Sequence, residues 1–175
     1  MSLEQLPPNW AEATVADTGE YVNGLAFKPG DWEAEGRPII RIQNLTDPLK
    51  PVNRTTCEVD DRYVVRAGDL LVSWSATLDV FVWDREESVL NQHIFRVIPE
   101  ESLVDRRFLF FGLREVIAEL RESEHLHGST MKHINRGPFL AHRFPVPPLN
   151  EQRRIVAKLD RLSARSRAAR DPLAR

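Results

Sequence analysis

The sequence predicts an α+β fold, in which a mixed, β-rich body with packed helices is followed by a long C-terminal helix of the coiled-coil type. Three observations predict this class. Short alternating or β-branched runs fill the first hundred residues, and a helical period takes over near residue 102. A charged run with a narrow apolar seam then follows a proline-rich segment. The chain has 175 residues, of which 42% are hydrophobic and 29% charged, as expected for a domain with a sizeable core.

The first hundred residues predict strands separated by turns. Four runs have the apolar alternation or the β-branched content of strands: 38–45, 62–76, 79–83 and 92–98. The second run breaks at Ala67-Gly68-Asp69, which predicts a turn between two short strands. Residues 28–38 contain two glycines and two prolines and predict an exposed loop.

The change of period near residue 102 predicts the first long helix. Apolar residues recur at helical spacing over 105–124, and Ser102 with Asp105 resembles a capping box in which Asp replaces the usual Glu. The following polar tract, 125–138, predicts a loop, or a loop that opens a short helix. Residues 142–148 are expected to be extended, because each proline biases the residue before it away from the helical region.

The last predicted element is a helix that begins after the prolines. Asn150 is the expected N-cap, and Glu151 would favour the helix dipole from the first turn. Ile155, Leu159 and Leu162 follow at four-then-three spacing, which is the seam of a coiled coil. Such a narrow stripe on a charged helix has to be covered, either by the body of the domain or by a second helix. The chain therefore divides into a body, 1–148, and a helix, 149–175.

Charge is distributed unevenly along the chain. The net charge is −2, which by itself argues mildly against nucleic-acid binding. Residues 1–103 carry 9 Lys+Arg against 18 Asp+Glu, a balance of −9, whereas residues 104–175 carry 15 against 8, a balance of +7. Any surface that binds a polyanion must therefore draw on the second part, although a basic helix face that is simply solvated would show the same pattern.

The sequence also predicts where the protein works. Its apolar runs are short and interrupted by charge, so we expect no membrane span, and the N-terminus lacks the pattern of a secretory signal. The single cysteine, Cys57, cannot form an internal disulfide, which suits a reducing cytoplasm. We therefore expect a cytoplasmic protein.

Catalytic and metal-binding motifs are missing from the sequence. It contains no P-loop, no G-x-G-x-x-G, no H-E-x-x-H, no paired cysteines and no D/N-P-P-aromatic tetrapeptide of amino-methyltransferases. Glu124, His125, His127 and His133 form the nearest approach to a metal cluster, and their spacing fits no metal site that we can justify. We expect a protein that is not itself an enzyme and binds no cofactor or metal.

Polar side chains of the kind that contact DNA gather in the tract 128–137. Its candidates are Lys132, His133, Asn135 and Arg136, because cations contact phosphates while amides and guanidinium groups pair with base edges. Six further candidates lie near predicted strand ends: Arg41, Gln43, Ser75, Thr77, Gln92 and His93. The structural alternative is that Trp74 packs in the core and that side chains such as Asn91 satisfy turn backbone.

The order of several motifs resembles the DNA-specificity subunit of Type I restriction–modification systems. The resemblance extends from Leu6 to about Leu162, and the P-P-L-x-E-Q-x-x-I run is its most specific part. The motifs are LPPNW, PIIRIQNL, GDLLVSWSAT, LNQHIFRV, FLFFGL, GSTMKHI and FPVPPLNEQRRIVAKLDRL.

The resemblance implies a target recognition domain over 1–148 and a conserved spacer or dimerisation helix over 149–175. In that family two such units lie in tandem, each recognition domain reads one half of a bipartite DNA target, and the helices hold the methyltransferase subunits. The expected partners are double-stranded DNA, the methyltransferase subunit and, through the complex, the restriction subunit. This sequence has one unit, so a fragment, a truncated product and a natural half-subunit that pairs with another copy or a second half all stay open.

Two other functions also stay open. The chain could be the recognition end of a fused restriction–methyltransferase enzyme, for which sequence upstream of Met1 would be decisive. It could instead be a protein-interaction module without DNA contact, as the acidic first part would allow. Binding to DNA in a salt titration, with the methyltransferase present, would discriminate among these functions.

Overall fold

The structure is a computed structural model. It describes residues 6–126 and 133–170, without the side chains of 123–126 and 166–170. Within these ranges the strands are β1 Ala11–Thr14, β2 Gly19–Asn23, β3 Arg37–Ile40, β4 Arg54–Thr55, β5 Val64–Val65, β6 Leu70–Ser73, β7 Asp79–Val82, β8 Ser88–Leu90, β9 Ile94–Pro99 and β10 Arg143–Val146. The helices are α1 Ile42–Thr46, α2 Arg106–Leu126, α3 Arg136–Ala141 and α4 Leu149–Arg170. The predicted α+β class is confirmed.

The central sheet is antiparallel and has the strand order β2-β9-β6-β7. Its strands place alternate side chains on opposite faces, so Leu70 and Val72 point to one side and Leu71 to the other. Leu70 and Val72 belong to the main core with residues of α2 such as Leu109 and Leu113, all at most 1% exposed. The helices therefore cover one face of this sheet.

The other face of the central sheet packs on a second sheet, which has the order β4-β3-β8-β5. Leu71 and Ile94 of the central sheet share a smaller core with Ile40, Leu90 and Trp83. In the second sheet β3 and β8 run parallel, with Ile40 paired to Leu90. The chain after β3 and the chain after β8 consequently leave the sheet side by side.

The prediction that 38–45 is one strand is wrong. The strand ends at Ile40, and Ile42–Thr46 forms the short helix α1. Asn44 decides this, because its Oδ1 accepts from the Arg41 N–H at 3.2 Å and its Nδ2 donates to the Pro51 carbonyl at 3.2 Å. Local side-chain to backbone hydrogen bonds of this kind compete with strand pairing, and here they outweigh the alternating pattern.

The capping residues of both long helices differ from the predicted ones. Asp105 itself precedes α2, and its Oδ1 accepts from the N–H groups of Arg107 and Phe108 at 3.0 and 3.2 Å, while Ser102 donates to Glu100 instead. At α4 the Pro148 carbonyl accepts from the Gln152 N–H at 3.0 Å, so the helix starts at Leu149. Asn150 therefore lies inside the first turn, and its prediction as the N-cap is wrong.

The proline-rich segment before α4 is extended, as predicted. It forms β10, which pairs antiparallel with β1. Pro145 lies opposite Glu12 in this two-stranded sheet, where its missing N–H costs no hydrogen bond of a central strand. Among the described helices, none combines the length and the hydropathy that a bilayer crossing requires.

Candidate nucleic-acid interface

One end of the central sheet collects most of the predicted DNA-contacting side chains. Strands β2 and β6 end there, and β7 and β9 begin there. His133 forms an isolated antiparallel bridge with Ser75, which brings the polar tract to the loop after β6. We call the resulting group the strand-end surface, and it comprises Ser75, Thr77, Gln92, His93, His133, Asn135 and Arg136. Lys132, the remaining candidate of the polar tract, lies outside the described residues.

Trp74 holds this surface together. Its N–H donates to the His93 carbonyl at 3.2 Å, and its carbonyl accepts from the Ile134 N–H at 2.8 Å. Its indole Nε1 donates to Asn23 Oδ1 at 3.1 Å, and its ring stacks on Phe95 with 5.8 Å between centroids. Trp74 is thus half-buried against the main core, which agrees with the structural alternative for this residue, and its packing supports the polar groups around it.

Two residues of this region have a backbone conformation that residues other than glycine rarely adopt. The φ angles of Ala76 and His93 are 56° and 72°, in the left-handed region. Such conformations cost on the order of 1–3 kcal/mol and persist where surrounding contacts enforce them, often at functional sites. Nδ1 of His93 is also buried and, among the described residues, has no hydrogen-bond partner.

The polar side chains at the start of α3 are exposed. Asn135 occupies the N-cap position but makes no side-chain cap bond, and it is exposed. The guanidinium group of Arg136 lies over the Phe95 ring, 5.9 Å from its centroid, and donates a long hydrogen bond of 3.4 Å to the Tyr21 carbonyl. Both side chains can therefore contact a ligand that approaches the end of the sheet.

Arg41 and Gln43 lie beside the strand-end surface and not within it. Arg41 follows β3 directly, and the Ile40 carbonyl accepts from the Asn91 N–H at 3.1 Å, so Arg41 lies beside Asn91, the residue before Gln92. Its guanidinium group lies 5.7 Å from the centroid of the Trp32 ring. Gln43 is farther along α1, exposed, with its amide 3.4 Å from the Pro51 carbonyl.

Arginines beside the opposite end of the central sheet are paired with carboxylates. Arg96 pairs with Asp69 at 2.9 Å, and both side chains are at most 15% exposed. Arg62 pairs with Glu20 and Arg66 with Asp61, each at 2.6 Å. The hydrogen bond from Arg66 holds the pKa of Asp61 below its usual value.

By contrast, Arg41 and Arg136 form no ion pair with any carboxylate in the described part of the chain. Their charges are therefore available to an external anion. Across the same ranges, no three His, Cys, Asp or Glu side chains converge as metal ligands would.

Two residues with important contacts were missed from the sequence. Asn23, at the end of β2, is exposed and orients the indole of Trp74. Gln152 is fully buried, and its amide bonds to Leu103, Asp105 and Pro147. The P-P-L-x-E-Q motif was a signal for Gln152, but it did not reveal partners that lie nearly 50 residues away.

The predicted seam of α4 is divided between the body and solvent. Ile155 packs against the main core of the body, together with the buried Val156. Leu159 is half-buried, and Leu162 is 51% exposed. The body thus covers the beginning of the seam and leaves its later part open.

Comparison with known proteins gives a consistent result. The family model described as "Type I restriction modification DNA specificity domain" matches residues 7–170. The specificity subunit of the Type I restriction enzyme EcoBI from Escherichia coli is 27% identical over 166 residues, which are 93% of this chain and 34% of that protein. The MjaVIII specificity subunit from Methanocaldococcus jannaschii is 25% identical, over 87% of this chain and 35% of that protein.

Solved structures share the fold. The HsdS subunit from Thermoanaerobacter tengcongensis superposes with a TM-score of 0.77 at 23% identity, over 99% of this chain and 42% of that one. A Type I restriction–modification S subunit from M. genitalium gives a TM-score of 0.62 at 18% identity, over 92% and 41%. The chain spans about a third of the length of the curated relatives that it matches.

Proposed function

This chain belongs to the Type I restriction–modification DNA specificity domain family, and on that premise we propose that its body reads one half of a bipartite DNA target while α4 joins it to the rest of a restriction–modification complex. The matched proteins are specificity subunits, so the predicted family is confirmed, and its role is DNA specificity and not catalysis.

The observation that carries the proposal is the convergence of polar groups on the strand-end surface. Hydroxyl, imidazole, amide and guanidinium groups from three separate parts of the sequence meet at one end of one sheet. Amide and guanidinium groups can each make paired hydrogen bonds to a base edge, and hydroxyl groups contact phosphates or bases. The stacked rings of Trp74 and Phe95 pack beneath these groups, and this packing favours a defined geometry of contact.

The distribution of charge supports the same surface. Arg41 and Arg136 lack carboxylate partners among the described residues, whereas the arginines at the other end of the sheet are paired. Phosphate attraction needs such available cations, and it accounts for much of the affinity of DNA-binding proteins. A chain with a net charge of −2 can therefore still offer DNA one basic face.

We further propose that the chain divides into a target recognition domain, 1–148, and a spacer or dimerisation helix, 149–175, through which it assembles with its partners. The exposed later part of the α4 seam supports pairing in a coiled coil with a second specificity half or a second copy of this chain. The methyltransferase subunit would dock on these helices and bring in the restriction subunit. Such a complex would work in the cytoplasm, and this chain would supply no cofactor to it.

The test compares two arginines in DNA-binding measurements with the methyltransferase subunit present. Arg136→Ala should weaken binding to the preferred sequence by about tenfold or more, as expected for a direct contact worth about 1–3 kcal/mol. If the lost contact is to a phosphate, the slope of log affinity against log salt should fall by about 1. Arg62→Ala, at the ion-paired end of the sheet, is the matched control and should leave affinity unchanged.

Two results would contradict the proposal. One is the absence of sequence-preferring binding by the wild-type chain at any salt concentration. The other is an equal loss in both variants, since that would reflect a general reduction of positive charge and not a contact surface.

A further inference from the structure

We propose that Gln152 is a positioning residue that fixes the angle at which α4 leaves the body. The inference draws its functional meaning from the proposed DNA recognition, but its first test does not depend on DNA. Gln152 lies in the first turn of α4 and is fully buried.

The amide of Gln152 connects three segments of the protein. Its Oε1 accepts from the Asp105 N–H at 2.7 Å, at the start of α2. Its Nε2 donates to the Leu103 carbonyl at 2.9 Å and to the Pro147 carbonyl at 2.8 Å. The side chain is fully buried, so these bonds are not exchanged with water. The base of α4 is thereby attached both to the turn before α2 and to the proline-rich segment.

Hydrogen bonds to a planar amide depend on direction as well as distance. Both N–H groups of the Gln152 amide and its oxygen are engaged, so a rotation of the helix base would break at least one bond in a buried place. The neighbouring Val156 also packs in the core, but apolar contacts are non-directional and tolerate small rotations. Gln152 is therefore the contact that specifies orientation, and Val156 the one that adds apolar burial.

Among the described side chains beyond Val156, one ion pair joins α4 to the body. Arg107 pairs with Asp160 at 2.6 Å, and beyond this pair residues 161–165 are all exposed. A helix of 22 residues is roughly 33 Å long. A tilt of about 10° at its base would displace its far end by about 6 Å, compared with a rise of about 3.4 Å per base pair of DNA. A small error at Gln152 would thus shift a partner held by α4 by more than one base pair.

The test measures the distance between the body and α4 by spin labelling. The native Cys57 is exposed and supplies one label, and Arg165→Cys supplies the other on the exposed part of α4. Dilution with unlabelled protein removes distances between chains. The wild-type background should give a narrow distribution, and Gln152→Met, which keeps the length but removes the hydrogen bonds, should broaden it or shift it by several ångströms.

Two controls separate positioning from general loss of stability. A second label pair within the body, Cys57 with Ala118→Cys on α2, should stay narrow in the Gln152→Met variant. Val156→Ala removes a buried apolar contact one turn along α4 and should lower the melting temperature while the distribution between the body and α4 stays narrow.

The inference is overturned if Gln152→Met leaves the distribution unchanged, or if Val156→Ala broadens it equally. A broad distribution in the wild-type background also overturns it, and that measurement needs no variant at Gln152 to fold. The functional consequence is tested on assembled complexes with DNA targets whose half-sites are separated by different numbers of base pairs. Gln152→Met should relax the preference for one separation.

The two proposals fail in distinguishable ways. If the wild-type complex shows no sequence-preferring DNA binding, the proposed function fails while the distance measurement still stands. If the wild-type complex binds its target and Gln152→Met keeps both a narrow distance and the same preference for half-site separation, only the positioning role fails.

Discussion

Tyr21 shows how a single side chain couples the core to the candidate interface. Its ring packs edge-to-face on Phe139 and Phe95, at 5.6 and 6.4 Å between centroids, directly beneath the strand-end surface. Its hydroxyl group lies 2.8 Å from Thr18 Oγ1. Burial raises the pKa of the Tyr21 phenol well above its ordinary value, because the ionised form would lose its hydration.

This shift predicts a loss of stability at alkaline pH. An unfolded tyrosine releases its proton near pH 10 while Tyr21 keeps it, so the unfolded state then binds fewer protons than the native state. The contribution is fully present below about pH 10, and the free energy of unfolding should fall by about 1.4 kcal/mol per pH unit above it. Tyr21→Phe should flatten this dependence in denaturant titrations from pH 8 to 11, and should lose about 1 kcal/mol at neutral pH with the hydrogen bond to Thr18.

Tyr63 provides the matched control. It is the other tyrosine of the chain and lies outside the cluster of Tyr21, Phe95 and Phe139, so Tyr63→Phe controls for the loss of a phenol hydroxyl group elsewhere in the protein. A Tyr21→Phe variant with the wild-type slope would show that other groups cause the alkaline loss.

At the scale of elements, the contact between α2 and β10 depends on a glycine. A Cβ atom added to Gly112 would overlap the ring of Phe144, which is 4% exposed and packs on Phe108. The buried ring has little room to move away. This close approach brings α2 against the strand that leads directly into α4.

Gly112→Ala should therefore lower the free energy of unfolding, although alanine is the better helix former. The gain in helix propensity is about 1 kcal/mol, whereas overpacking of a core costs about 1–3 kcal/mol. Thermal unfolding would measure the difference. Gly30→Ala, in an exposed turn where an added Cβ meets no atom within 4 Å, should leave the melting temperature unchanged or slightly raised. A Gly112→Ala protein as stable as the wild type would refute the close contact.

The secondary-structure elements also show where prediction from the local sequence pattern fails. The apolar alternation of 38–45 was real, but its polar position at Asn44 formed the hydrogen bonds that turned the chain into α1. The helical period of α2 and the extended proline-rich segment were predicted correctly, because a long apolar stripe and the restricted backbone of proline act locally. The capping residues of α2 and α4 differ from the predicted ones because neighbouring residues within one turn can take the capping role.

At the scale of the whole molecule, assembly is expected to depend on the exposed part of the α4 seam. Leu162 is 51% exposed, while Val156 is 8% exposed and belongs to the core. Leu162→Glu should therefore weaken self-association, or association with a second specificity half, by at least tenfold without lowering the melting temperature. Sedimentation velocity over a range of concentrations would measure this.

Ser163→Glu places the same charge on an adjacent exposed position of α4 and should leave association unchanged. Equal effects of the two substitutions would mean that added negative charge, and not the loss of an apolar seam residue, weakens assembly. An unchanged association in Leu162→Glu would exclude this part of the seam from the contact.

Local pattern alone was enough to assign the family, the α+β class and the long helix, since motif order and hydrophobic period are properties of consecutive residues. It was also enough to suggest which side chains have the chemistry to contact DNA. The tertiary structure decided which of them share a surface: strand order brings Ser75 to His133 and separates Gln43 from both. It alone revealed that Gln152 joins α4 to residues 47 and 49 positions away, because such contacts depend on how distant segments pack and not on the residues beside them.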